Sequence, residues 1–229
     1  MDSGSVAGPA NLKLGKIRNS SSGVKQRLPF QFPDAADDVA RLSGRLRQAF
    51  AAIGFPKTTR LTILNLACGR ADKTGALAAA LAPAEIGHYL GIDLRPGAIA
   101  EATRRWTLPG GTIEFRCGDA SAIDRLVSQV DLIFIRHQNY WDDPVVWDRL
   151  LDNALKALKP DGLLVCTSYF DREHELLLAA LKTRGAELLW NVRAPDSRSL
   201  PDAVGKSVDR HLVIFKQEPV AKKGRTTPR

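Results

Sequence analysis

The sequence lacks long hydrophobic runs: its longest apolar stretches fall far short of the ~20 residues that a helix needs to cross a bilayer. It also lacks an apolar segment behind a basic start, so we expect no secretion signal. Cysteine is scarce, and Cys68, Cys117 and Cys166 do not stand at metal-ligand spacings. An odd number of cysteines within or at the ends of predicted strands is typical of reduced core residues. We therefore expect a cytoplasmic protein with no metal site.

Acidic residues are also under-represented, at 25 against 33 basic ones, which gives a net charge of +8. Residues 1–33 hold five basic side chains against one acidic, and residues 216–229 hold the same numbers, so the two ends account for the whole excess. A surface that binds a phosphate backbone usually has a basic excess of its own. We therefore favour a small-molecule substrate, keep RNA as a weaker alternative and expect no membrane partner.

The pattern of the chain predicts one α/β domain. Residues 1–33 are interpreted as a flexible basic arm, 34–216 as the domain with an N-terminal helix, and 217–229 as a disordered basic tail. Strand and helix signals alternate along the domain. Strands are predicted over 61–67, 88–93, 112–117, 130–136, 162–168, 186–193 and 208–216, and helices over 34–53, 72–82, 96–106, 121–128, 143–158 and 172–184. This alternation predicts a doubly wound, mostly parallel sheet with helices on both faces.

Residues 61–72 carry the strongest functional signal. An apolar strand ends there in a turn of small residues, and a helix follows, so backbone amides and a helix N-terminus can meet a ligand. A second apolar run ends in Asp93, whose carboxylate can accept hydrogen bonds from both hydroxyls of a ribose. The two features together predict a nucleoside-containing cofactor.

The glycines argue against a dinucleotide. A pyrophosphate site requires G-x-G-x-x-G, and the corresponding positions here are Ala67, Gly69 and Asp72. The third position would bring a carboxylate close to the phosphates. An NAD-dependent dehydrogenase is therefore a poor alternative.

The stretch Asn65-Leu66-Ala67-Cys68-Gly69 instead resembles motif I of the class I S-adenosylmethionine-dependent methyltransferases, which runs acidic-x-Gly-x-Gly after the first strand. The resemblance covers residues 60–216 and implies a seven-stranded sheet of order 3-2-1-4-5-7-6 with the seventh strand antiparallel. Asn65 departs from the motif by replacing the acid, and Ala67 by replacing the first glycine. These two departures leave open a non-catalytic module that binds a cofactor or a partner.

The resemblance also implies S-adenosylmethionine as the cofactor and a set of residues that bind it. Asp93 falls where the family has its ribose-binding acid, and Asp119 falls where the acid near the adenine amino group lies. The cofactor-binding residues expected from the resemblance are Asn65, Ala67, Cys68, Gly69, Asp93, Leu94, Asp119, Ala120 and Arg136.

Candidate catalytic side chains follow the fourth predicted strand. His137 has a pKa near neutrality as an ordinary histidine and is predicted as a general base, and Tyr140 is predicted to stack on a planar substrate or on the adenine. A structural interpretation stays open, in which the aromatic side chains pack on the sheet and Asp143 caps the next helix. Tyr169 and His211 are the next candidates for the base.

The segment 194–211 is long and polar, and cationic residues lie in it and beside it. If this segment covers the substrate, its cationic residues favour an acidic or phosphate-bearing molecule. If it is only a solvated connection to the last strand, it has no role in substrate binding. The function predicted from the sequence is transfer of a methyl group to an O or N acceptor, on a small molecule in preference to RNA. The oligomeric state is not predicted.

Overall fold

A computed structural model of the chain describes residues 25–26, 33–125 and 129–218. The predicted arm over 1–33 and tail over 217–229 lie almost entirely outside these residues, so both remain predictions. Within the arm, Lys25–Gln26 pairs antiparallel with Trp106–Thr107. No helix among the described residues is long and apolar enough to span a membrane.

The main sheet has seven strands, and its topology confirms the predicted order. Named in chain order, the strands are β1 Arg60–Leu66, β2 Glu85–Asp93, β3 Thr112–Cys117, β4 Val130–Arg136, β5 Leu158–Ser168, β6 Ala186–Arg193 and β7 His211–Gln217. They lie in the order β3-β2-β1-β4-β5-β7-β6. The first five run parallel, and β7 is antiparallel to both β5 and β6, as expected from the resemblance.

The helices begin and end near the residues that the sequence predicts. They are α1 Pro33–Ile53, α2 Thr74–Leu81, α3 Pro96–Arg105, α4 Pro144–Ala157 and α5 Asp171–Thr183, with a 3₁₀ segment over Ala120–Arg125. Proline opens both α3 and α4, where its missing N–H would have no partner in any case. Asp143 caps α4 by accepting a hydrogen bond from the Val146 amide at 3.2 Å. The structural interpretation of Asp143 is therefore correct.

Two apolar clusters cover the two faces of the sheet. Phe134 of β4 packs in a cluster with Leu46 of α1 and Leu77 of α2, whereas its neighbour Ile135 packs with residues of α4 and α5. Successive residues of a strand point to opposite faces, so β4 is buried on both sides. The helices therefore flank both faces, as predicted.

Several details differ from the sequence-based expectations. β2 begins at Glu85 and not at 88, and a 3₁₀ segment stands where a helix over 121–128 is predicted. β5 begins at Leu158, because Leu158 pairs with Val130 and the residues over 159–162 form an irregularity before Leu163 pairs with Leu132. β7 begins at 211, because Asp209 has a φ of 49° and interrupts the extended backbone. The cysteines are free, and Cys166 is buried as expected, but Cys117 is exposed.

Candidate functional site

A cleft of about 630 Å³ opens at the carboxyl ends of the parallel strands. It lies where the strand order reverses between β1 and β4, the position at which open α/β sheets bind ligands. Its walls come from the loops after β1, β2, β4 and β5. The residues that line it are Asn65, Ala67, Cys68, Gly69, Arg70, Ala71, Asp72, Lys73, Asp93, Arg95, Gly97, Ala98, Glu101, Phe134, Arg136, His137, Trp147 and Tyr169.

The loop between β1 and α2 turns through left-handed backbone conformations. Ala67, Gly69 and Ala71 have φ angles of 53°, 55° and 55°. Glycine adopts such angles freely, whereas other residues lose roughly 1–2 kcal/mol there. The left-handed backbone at this position explains why motif I has a glycine there. Ala67 adopts the same backbone conformation at an energetic cost. Backbone strain of this kind concentrates at functional sites.

Asn65 presents a buried acceptor without a partner. Its Nδ2 donates to the Tyr89 hydroxyl at 2.7 Å, and that hydroxyl lies 2.9 Å from Thr74 Oγ1. Asn65 Oδ1 has no hydrogen-bond partner among the described residues, although it is buried. An unpaired buried acceptor costs about 1–3 kcal/mol, so an N–H donor from a ligand would be stabilised there.

Asp93 lies at the end of β2 beside the same loop. Its Oδ2 accepts the Gly69 amide at 2.7 Å and Arg95 Nη2 at 3.3 Å, and its Oδ1 accepts the Arg95 amide at 3.0 Å and Arg95 Nε at 2.9 Å. Burial disfavours the carboxylate, but the hydrogen bonds from Arg95 and Gly69 outweigh it and lower the pKa of Asp93. Asp93 is therefore ionised at neutral pH.

The other predicted cofactor residues are divided between the cleft and its surroundings. Cys68 lines the cleft, and burial, together with the charge of Asp93, raises the pKa of its thiol to about 12. Leu94 is exposed and Ala120 is buried in the core. Asp119 accepts hydrogen bonds from the amide and hydroxyl of Ser121 at 2.8 and 2.7 Å, outside the cleft lining.

A buried carboxylate that the sequence analysis missed organises the end of β4. Asp209 accepts hydrogen bonds from Arg136 Nε at 2.9 Å and Nη2 at 3.1 Å, and from the Thr167 hydroxyl at 2.9 Å. Burial opposes ionisation, but the charge of Arg136 and its two hydrogen bonds outweigh burial and hold the pKa of Asp209 well below its usual range. Arg136 lines the cleft, and its charge is already paired with that of Asp209.

His137 also lines the cleft, with an imidazole that is almost fully buried. Its ring stacks on that of Tyr169, with centroids 3.5 Å apart. Its Nε2 is engaged by Asp209, at 3.1 Å from the backbone amide and 2.9 Å from Oδ1. Burial and the neighbouring Arg136 charge lower the pKa of His137 to about 4. A base role stays a prediction, and two features oppose it: the Nε2 lone pair is engaged, and a base of this pKa has little driving force at neutral pH.

Tyr140 is not brought to the cleft. Its hydroxyl donates to Asp148 at 2.5 Å, and its amide donates to Gln138 Oε1 at 3.1 Å. Tyr169, from the loop after β5, does line the cleft. Burial raises the pKa of Tyr169, so it carries its proton at neutral pH. The geometry thus favours Tyr169 over Tyr140 as the tyrosine that meets a ligand.

Lys73 is a second functional candidate that the sequence analysis missed. It is buried beside the cleft, one residue before α2. Burial and the charge of Arg136 lower its pKa to about 8, against the opposing charges of Asp209 and Asp38. Its position between motif I and α2 is the sequence feature that could have identified it. Within the described residues, no three His, Cys, Asp or Glu side chains are grouped to hold a metal.

The cationic residues at and near 194–211 are paired with acids. Arg198 Nη2 donates to Asp38 at 2.7 Å, Lys206 Nζ to Asp202 at 2.6 Å and Arg210 Nε to Asp171 at 2.7 Å. His211 Nε2 also lies 2.7 Å from Asp171. Asp171 is shared, since Arg193 Nε also lies 3.3 Å from it. The pairing reduces the positive charge on which the hypothesis of an acidic substrate depended.

Comparison with known proteins is decisive for the family. Residues 63–162 match the family model of a methyltransferase domain. The chain contains a class I S-adenosylmethionine-dependent methyltransferase domain. The family, the enzyme class and the cofactor expected from the resemblance are thus confirmed. No curated protein sequence matches this chain.

Solved structures share the fold of this methyltransferase. An S-adenosylmethionine-dependent methyltransferase from Clostridium acetobutylicum has a TM-score of 0.58 at 14% identity, over 82% of this chain and 95% of that one. The N-methyltransferase NodS from Bradyrhizobium japonicum has a TM-score of 0.56 at 22% identity, over 80% and 99%. A TehB-like methyltransferase from Corynebacterium glutamicum has a TM-score of 0.52 at 20% identity, over 81% and 97%.

The residues present fit the cofactor. S-adenosylmethionine carries an ammonium group, which matches the unpaired buried Oδ1 of Asn65. It also carries a ribose, which matches the ionised Asp93. The replacement of the motif I acid by Asn65 therefore preserves an acceptor at that point of the cleft.

Proposed function

We propose that this methyltransferase transfers a methyl group to an oxygen or nitrogen atom of a small molecule. The observation that carries the proposal is the size of the cleft, to whose lining Arg136, His137 and Tyr169 contribute. The cleft volume of about 630 Å³ lies within the ~300–1,000 Å³ range of small-molecule sites. NodS is named as an N-methyltransferase, but its identity of 22% is too low to assign the acceptor atom here.

The segment over 194–210 supports a small acceptor because it is fastened to α1. Arg45 Nη1 donates to the Asp209 carbonyl at 3.0 Å, and Arg198 joins Asp38 of α1. The segment thereby holds Asp209 against Arg136 and His137 of the cleft. A polynucleotide site instead needs an open basic groove. The pairing of the cationic residues with Asp38, Asp171 and Asp202 also reduces the positive potential that would attract phosphate groups.

In the proposed reaction the protein contributes binding and alignment. When bound, S-adenosylmethionine supplies a methyl group already activated by its sulfonium sulfur. Asp93 would hold the ribose hydroxyls, and Asn65 Oδ1 would accept the ammonium. His137 and Tyr169 would orient the acceptor atom in line with the methyl group and exclude water. Because the Nε2 of His137 is engaged, we propose orientation, not proton removal, as its main contribution.

We expect label from methyl-tritiated cofactor to enter a dialysable metabolite extract and not total RNA from the same cells. The Asp93→Ala variant is the control, because its loss of cofactor binding should abolish the signal. Stronger labelling of RNA than of the metabolite pool would overturn the small-molecule proposal. Mass spectrometry of the labelled compound would then identify the acceptor atom.

We expect the His137→Asn variant to lose about tenfold to 100-fold in turnover, because the acceptor is less well aligned. The wild-type imidazole is neutral throughout the range from about pH 6 to 8, since its pKa is lowered to about 4. The ratio of the two turnover rates should therefore stay constant across this range. A loss that grows with pH through about 6.5 would instead identify His137 as the general base.

A further inference from the structure

The carboxylate of Asp93 has its acceptor positions occupied by the protein itself. Three of its four hydrogen bonds come from Arg95, and two of those come from the guanidinium group, at 2.9 and 3.3 Å. The fourth comes from the Gly69 amide at 2.7 Å. A carboxylate offers about four lone-pair sites. A ribose can therefore reach Asp93 only by replacing bonds that are already made.

The two backbone bonds and the two guanidinium bonds differ in how easily they can be replaced. The amides of Gly69 and Arg95 are fixed by the loop and by the end of β2. The Arg95 side chain, in contrast, is 71% exposed and lines the cleft. It also covers Gly69, since a Cβ at that glycine would lie 3.0 Å from Arg95 Nη2. The guanidinium thus fills the space between the β1–α2 loop and the end of β2.

We propose that Arg95 is an internal competitor for the ribose-binding carboxylate and thereby sets the affinity for the cofactor. Cofactor binding displaces the guanidinium from Asp93 and leaves the two backbone hydrogen bonds in place. This inference rests on the proposed role of Asp93 as the ribose acceptor. The energy lost on displacement is limited, because the guanidinium is 71% exposed and returns to water, while the buried carboxylate keeps its two backbone hydrogen bonds and gains those of the ribose. The Arg95 guanidinium therefore weakens the binding of the cofactor without preventing it.

A matched control lies on the neighbouring strand. Arg116 donates through Nε and Nη2 to Glu114, two residues earlier, at 2.5 and 3.0 Å, which repeats the arrangement of Arg95 and Asp93. Arg116 and Glu114 do not line the cleft. Both of these side chains are 40% exposed, whereas Asp93 is buried. The Arg116→Ala variant therefore removes an ion pair of the same bonding pattern, and the same positive charge, at a distance from the ribose site.

The test is calorimetric titration of the full chain and both variants with S-adenosylhomocysteine. We expect Arg95→Ala to bind about two- to fivefold more tightly than wild type, and Arg116→Ala to bind as wild type does. Salt screens exposed ion pairs, so the advantage of Arg95→Ala should shrink as the salt concentration rises towards about 1 M. A 2′,3′-dideoxy analogue of the ligand does not need the carboxylate, so Arg95→Ala should leave its affinity unchanged.

The outcomes separate this inference from the proposed function. Equal or weaker binding of S-adenosylhomocysteine by Arg95→Ala would overturn the competitor role, and weaker binding would make Arg95 a direct contact of the cofactor. Tighter binding of the dideoxy analogue by Arg95→Ala would also overturn it. If the wild type and both variants fail to bind S-adenosylhomocysteine, the cofactor site itself is wrong and the inference fails with it.

Discussion

Replacing Asp93 by alanine is expected to weaken the binding of S-adenosylhomocysteine by about tenfold or more, because the ribose loses charge-assisted hydrogen bonds. The lowered pKa of Asp93 keeps the carboxylate ionised at neutral pH. The variant also loses the acceptor for the Gly69 amide, which lies 2.7 Å from Asp93 Oδ2. The loop between β1 and α2 is then less well held, which adds to the effect. Calorimetry measures the affinity directly.

Two further variants identify the cause of that loss. Asp93→Asn keeps the shape of the side chain and one acceptor oxygen, so we expect an intermediate affinity. Asp161→Ala removes a carboxylate that is 71% exposed, near the amino end of β5, and should bind the ligand normally. Binding by Asp93→Ala within twofold of wild type would contradict the role assigned to Asp93.

The cofactor side of the cleft could be predicted because its signals are local in the sequence. The apolar run of β1, the small residues after it and the acid that ends β2 lie within one βαβ unit. Parallel neighbouring strands bring their carboxyl ends to the same edge, so Gly69 and Asp93 meet although 24 residues separate them. Pattern and topology together were sufficient to place these two residues in contact.

The acceptor side could not be predicted in the same way, because tertiary packing decides it. Asp209 contacts Arg136 across 73 residues and lies in a loop without hydrophobic periodicity. Sequence reasoning identified the cationic residues at and near 194–211 but not the acids that pair with them. Tyr140 was favoured over Tyr169 for its position after β4, yet its hydroxyl is held by Asp148. Side-chain direction in a loop is not encoded by spacing alone.

The predicted strand boundaries are wrong where the backbone is irregular. The residues over 159–161 lay between a helix predicted to end at 158 and a strand predicted to begin at 162, but β5 incorporates them as an irregularity. β7 was predicted to begin at 208, but the left-handed φ of Asp209 delays it to 211. The same residue thus ends the loop and supplies the buried carboxylate.

Replacing Asp209 by alanine is expected to lower the free energy of unfolding by about 3–5 kcal/mol, because it leaves a partly buried guanidinium without its partner. The Asp209 side chain is only 3% exposed and joins β4, β5 and the segment before β7 through Arg136, Thr167 and His137. Urea unfolding measures the change. The control is Asp202→Ala, which breaks an exposed pair with Lys206 and should lose about 0–1 kcal/mol.

The pH dependence of a third variant, Asp209→Asn, tests whether the charge of Asp209 is responsible. Its pKa in the folded protein is well below its usual range, whereas that of an unfolded aspartate is about 3.9. The folded state therefore binds fewer protons, so the stabilisation is complete above about pH 4 and is lost as the pH falls towards the folded pKa. The difference in stability between wild type and Asp209→Asn should accordingly be constant from about pH 5 to 7 and shrink at about pH 3. A difference that does not change with pH would mean that Asp209 acts through packing and not through its charge.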